Sequence, residues 1–159
     1  MEDQTKSPHH GGGSKPYVML AVNLGLSLLV MYVAMFAMIW SWGEFIQNVN
    51  FFYMALVMWA PMGAIMLATM GGMYRNRKLN TALYLAFAAI FVVSLVGIRQ
   101  QSLVGDDQYL RSMIPHHSGA ILMCEEAKLT DPEIRQLCGE IIAAQKDEIA
   151  QMKRIMDRL

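Results

Sequence analysis

An all-α chain, with three transmembrane helices followed by an extracytoplasmic antiparallel helical hairpin, is the fold class this sequence predicts. Residues 17–98 hold three long uncharged apolar runs. The two connections between the runs differ in charge. From residue 99 onward the pattern becomes amphipathic and helical, with eight Lys and Arg against ten Asp and Glu. The expected organisation is a disordered cytoplasmic tail (1–16), a three-helix transmembrane domain (17–98) and an extracytoplasmic hairpin domain (99–159).

Each element follows from its residues. The opening MEDQTKSPHHGGGSKP is polar, Gly-rich and aperiodic, so it cannot bury a core. Tyr17–Trp40 is 24 residues without a charge, and Phe51–Met70 and Leu79–Ile98 are 20 each. A hydrocarbon core of ~30 Å takes about 20 helical residues, so each run is long enough to span. The first run is too long for the apolar core of a signal peptide, and no small-residue cleavage site follows it. Tyr17, Trp40, Trp42, Phe51, Tyr53 and Tyr74 fall near the ends of the first two runs, where aromatic belts form.

The loops set the orientation. SWGEFIQNVN (41–50) contains Glu44 and no Lys or Arg, whereas GGMYRNRK (71–78) contains Arg75, Arg77 and Lys78; the tail adds Lys6 and Lys15. The positive-inside rule places the tail and the second loop in the cytoplasm. Three crossings then leave everything after Ile98 on the outer (periplasmic) face of the cell inner membrane.

The exported part reads as two helices. One runs from about Asp106 to Lys128. Thr130-Asp-Pro-Glu133 then reads as a capping box with Thr130 as N-cap. The second helix carries Ile134, Leu137, Cys138, Ile141, Gln145, Ile149, Met152 and Met156 on one stripe. A hairpin of about 55 residues buries too little apolar area to stand alone. It is expected to pack in a homo-oligomer, as a dimeric four-helix bundle, or on the membrane helices.

The chemistry gathers on RSMIPHHSGAILMC (111–124). Met113, His116, His117, Met123 and Cys124 lie within a sector of about 120°, with small Ala120 at its middle. Pro115 is expected to kink the helix there. On the second helix Met152 and Met156 form an i, i+4 pair beside Gln145. Imidazole with thioether suits Cu(I) and is a poor match for Mg, Ca or Mn. The bland alternative is a hydrogen-bonded histidine pair with methionine as core filler. The helix has no Glu-x-x-His of a di-iron bundle and the chain no His-Glu-x-x-His of a zinc protease. No nucleophile–base pair or phosphate loop is present, so no enzyme is expected. Zero net charge gives no basic surface for nucleic acid.

Met113-Ile-Pro-His-His117, Ala120-Ile121, Met123, Asp131-Pro-Glu-Ile134, Glu140-Ile-Ile142, Gln145 and Glu148-Ile-Ala-Gln-Met152 together resemble the "domain of unknown function 305" family, over roughly residues 103–159. The three-span front resembles its membrane-anchored branch. The resemblance implies a ferritin-like half-bundle and an exported copper-binding role. By position it implies Met113, His116, His117 and Met152 as copper ligands, with Met123 and Met156 as further candidates. This chain departs from the pattern in offering one hairpin rather than a longer helical array, and in placing Cys124 where a small residue is expected.

Geometry adds a constraint. With a turn centred near residues 129–130, Met113 faces Lys146–Ile149 and Met152 lies ~9 Å further along, so sharing an ion needs a staggered hairpin or a second subunit. Cys124 and Cys138 face the same interface at an offset of ~4.5 Å. Two readings are open: a disulfide pinning the hairpin on an oxidising face, or Cys124 as a thiolate ligand for Cu(I). Met54, Met58, Met62, Met66 and Met70 form an i+4 ladder across the second span, and Met31, Met35 and Met38 lie in the first run. The ladder reads as flexible packing around Pro61 or as a Cu(I) relay. His9-His10 offers a loose cytoplasmic pair. The function expected is a membrane-anchored copper-binding protein that buffers copper or exchanges it with a copper-exporting or copper-accepting partner. The alternatives are an oligomeric membrane scaffold and a copper-conducting subunit using the ladder.

Overall fold

The structure is a computed structural model that describes residues 15–159. It is all-α: α1 (Lys15–Ala34), α2 (Val49–Thr69), α3 (Arg77–Gln100), α4 (Asp106–Glu126) and α5 (Pro132–Met156), with a short 3₁₀ turn at Trp42–Glu44 and no strand among the described residues. By length and composition α1, α2 and α3 can each cross a membrane, as expected of a membrane-associated protein. The tail and its His9-His10 pair lie outside the described residues, except that Lys15 and Pro16 already belong to α1.

Two helix ends differ from the sequence reading. The first apolar run continues to Trp40, but α1 stops at Ala34. There the backbone ladder tightens from i+4 to i+3 bonds, Phe36 N–H to Val33, Ala37 N–H to Ala34 and Ile39 N–H to Phe36. The gain that stops propagation is aromatic: Phe36 is buried, with its ring centroid 4.2 Å from that of Phe45 and 5.0 Å from that of Phe51. At α5 the N-cap is Asp131, not Thr130. Its carboxylate accepts from the N–H groups of Glu133 (2.9 Å) and Ile134 (3.1 Å), and Pro132 occupies the first helical position.

Close contact between α2 and α3 depends on two glycines. A Cβ at Gly63 would lie 2.6 Å from the Phe87 ring, and one at Gly97 3.0 Å from Tyr53. Small residues at such crossings are how membrane helices approach without a hydrophobic driving force between them. α1 joins through Leu20 and Leu24, which pack with Ala60, Leu67, Tyr74 and Phe87. The Trp59 indole N–H, deep in α2, donates to the Leu24 carbonyl at 2.7 Å. α4 and α5 pack on each other around Ile114, Ile121 and Ile149, with Ile142, Met152 and Met156 alongside. Ile134 and Leu137, expected on the packed stripe, are instead about half exposed (48% and 54%).

The connection from α1 to α2 is built into this second core. Ile46 packs against it. Glu44, expected only as a loop charge, is 4% exposed and accepts a short hydrogen bond from the fully buried Ser118 hydroxyl of α4. Ser118 Oγ in turn accepts from the Trp40 backbone N–H at 2.6 Å, and Lys153 of α5 reaches Glu44 at 3.7 Å. One carboxylate thus ties the loop to both helices. Removing it strands a buried hydroxyl, at a cost of about 1–3 kcal/mol. Glu44→Ala is therefore expected to lower the unfolding temperature, and Glu44→Ala with Ser118→Ala to lose clearly less than the two single losses added. Strict additivity in that cycle would contradict the tie.

Candidate metal centre

α4 runs helical from Asp106 to Glu126 without interruption at Pro115. One turn beyond Met113, the His117 ring is mostly buried, with 12% of the side chain exposed. Its Nδ1 lies 2.9 Å from the Met113 carbonyl. A carbonyl only accepts, so this contact is a hydrogen bond when Nδ1 carries the proton, which leaves the lone pair of a neutral ring on Nε2. Nε2 faces Glu148 Oε2 of α5 at 2.9 Å.

His116 is exposed, with its ring centroid 6.0 Å from that of His117. Met113 is partly buried on the same helix. Met152 and Met156 are partly buried against Ile114, Ile121 and Ile149. Met123 stands apart on the surface, 53% exposed. Among the described residues, no three His, Cys, Asp or Glu side chains converge as a metal site would require. An ion held here would need thioether donors or a second copy of the chain.

Cys124 and Cys138 form a disulfide with Cα atoms 5.4 Å apart. That settles the two readings of Cys124: its sulfur is bonded and is not a thiolate ligand. The pairs Cys124–Cys138 and His117–Glu148 recede from the 127–131 connection on both helices together. The register differs from the one expected. His117, rather than Met113, faces Glu148, because Asp131 caps α5 and the connection extends to that residue before the helix starts.

Near the connection, Trp40 closes one side. Its indole N–H donates to Glu125 at 2.6 Å, and the Lys146 ammonium sits 4.4 Å over its ring while bonding Glu125 at 3.0 Å. The Lys146 hydrogen bond holds the Glu125 carboxyl below the usual carboxylate range, burial opposing and the Trp40 bond assisting. A lowered carboxylate favours the folded state above its ordinary titration range, so this contribution is present at neutral pH and fades as pH falls through the lowered value.

The methionine ladder does not line one interior path. Met62 and Met66 pack into the core of the membrane helices, whereas Met54, Met58 and Met70 are exposed at 42–44%. Two residues of the second core escaped the sequence reading. Glu44 carried no signal beyond being the single acid of its loop. Glu148 was visible only as lying one turn before Met152.

A family model described as "Domain of unknown function (DUF305)" matches residues 61–156. The match begins inside α2 and takes in all of α3, further toward the N-terminus than the 103–159 segment whose motifs carry the resemblance. An uncharacterized protein of Acanthamoeba polyphaga mimivirus is 35% identical over 122 residues, covering 74% of this chain and 76% of its own. No solved structure matches.

Proposed function

The chain belongs to the DUF305 family, and from the donor chemistry of its His/Met sector we propose a membrane-anchored copper-binding protein that holds Cu(I) on the outer face. The observation that carries the reading is the 2.9 Å contact of His117 Nδ1 with the Met113 carbonyl. With the proton on Nδ1 this is the outer hydrogen bond that orients metal-binding imidazoles and leaves the Nε2 lone pair for an ion. Glu148 is half exposed (52%) and has room to swing aside when an ion takes its place at Nε2.

The α4–α5 register supports the ligand set. Read as an antiparallel hairpin, a half-bundle of ferritin-like type, one turn outward from His117 on α4 is Met113 and one turn outward from Glu148 on α5 is Met152. The two thioethers then stand within a turn of each other: the His117–Glu148 contact puts them level, and the disulfide register leaves ~4.5 Å of the ~9 Å offset expected from the sequence. His116 supplies a second imidazole from the surface, with Met156 one turn beyond Met152 and Met123 on the opposite side, toward the connection. Thioether and imidazole together favour Cu(I) over Zn(II) or hard cations. The protein buffers copper or passes it to a partner, with no enzymatic step of its own.

The second reading, an oligomeric scaffold, has its own observation. Met123, Ile134 and Leu137 leave apolar side chains exposed near the connection end of the pair, as an interface between copies would. Metal content separates the two. Full-length protein purified in detergent and loaded with equal copper and zinc under reducing conditions that spare the disulfide is expected to retain copper well above zinc. An oligomer that retains neither metal would favour the scaffold.

A further inference from the structure

A groove of about 680 Å³ lies between α1, α2 and the first turns of α4, and no step of copper handling uses it. Its two ends differ in chemistry. Toward the membrane it is walled by Gly25, Leu28, Leu29 and Phe52; at the other end stand Gln47 and Arg111. Its floor is open at Gly25, where a Cβ would meet nothing within 4 Å, while Tyr32, two turns on, closes against α2 with its ring 6.3 Å from that of Phe52. Asp107 takes the Arg111 Nε at 2.6 Å, so the guanidinium is held in place while its two terminal nitrogens have no partner among the described residues.

We propose that this groove binds one glycerophospholipid, an acyl chain lying along the α1–α2 wall and the headgroup phosphate against Arg111. The volume falls in the range of small-molecule sites. The apolar wall belongs to helices long and apolar enough to cross a membrane, and the arginine lines the same groove as Asn48, the α2 N-cap, which accepts from the Phe51 N–H. That is the depth of a lipid phosphate above its chain. Arginine's planar fork suits phosphate oxygens, and a guanidinium already oriented by a carboxylate gives up little freedom in binding one. A free phosphate would satisfy Arg111 but leave the apolar wall uncovered; a phospholipid covers both.

Native mass spectrometry of the full-length chain released from detergent tests this. With phosphatidylglycerol and diacylglycerol of the same acyl chains supplied in equal amounts, the parent is expected to retain one phosphatidylglycerol in clear preference. Arg111→Gln should lower that preference about tenfold, the loss of one charge-assisted hydrogen bond. Gly25→Leu, whose side chain enters open space rather than a neighbour, should reduce retention of both lipids. Soluble glycerol phosphate should not displace the bound lipid. Equal retention of the two lipids by the parent, or unchanged retention in Gly25→Leu, would overturn the proposal, as would displacement by glycerol phosphate.

Discussion

Full-length protein carrying Cys138→Ser is expected to lose about 3 kcal/mol of α4–α5 stability, the chain-entropy value for closing a loop of the 14-residue separation seen here. The effect should be local. Residues 132–137, 139 and 140 are all exposed, and between them only Cys138 is partly covered. The core shared with α4 is reached first at Ile142. The first turns of α5 are therefore held to α4 chiefly by the disulfide. Hydrogen exchange of residues 127–140 should rise sharply in the variant, while residues around Ile149 change little. Equal exchange in variant and parent would show that some other contact holds this end. The same bond reports on the compartment. Protein kept from reductants should show no free thiol on alkylation, because a disulfide persists on the oxidising outer face of a membrane. Two free thiols would contradict the outward placement.

Much of this architecture was legible in the sequence, for a physical reason. Spans are a matter of length and apolar composition, so the three membrane helices could be located from residues alone. Where helices end is decided elsewhere. α1 stops at Ala34 because Phe36 gains more in an aromatic cluster than as one more helical turn, and apolar composition is blind to that choice. Asp131 displaces Thr130 as N-cap because its carboxylate reaches two N–H groups at once. The disulfide was one of two readings of Cys124, since spacing brought Cys138 within reach but could not tell a bond from a thiolate. Glu44 was hidden. Its burial depends on Ser118 and Lys153, 74 and 109 positions away in the chain, and no local pattern marks it. Glu148 was hidden for the same reason: its partner, His117, lies on another helix. The register of α4 against α5, which decides whether Met113 and Met152 can share an ion, depends on the path of the connection, and a shift of a few residues in the facing pairs moves the whole candidate site.

The second large effect concerns the imidazoles. His117 is the ring in the sector whose Nδ1 meets a backbone carbonyl, and His116 adjoins it. Removing both leaves thioethers alone, and since loss of even an outer-shell partner weakens metal sites by about 10–100-fold, the loss of the ligands themselves should exceed ~100-fold. Met66 and Met70 sit on the ladder in α2, away from this core, so Met66→Ala with Met70→Ala is the matched control. The measurement is competition of full-length protein with a colorimetric Cu(I) chelator. The account predicts that His116→Ala with His117→Ala lowers Cu(I) affinity by at least ~100-fold, while the paired ladder substitution leaves it near the parent's. A double-histidine variant that holds copper as tightly as the parent, or a ladder variant that loses it instead, would contradict the proposed site.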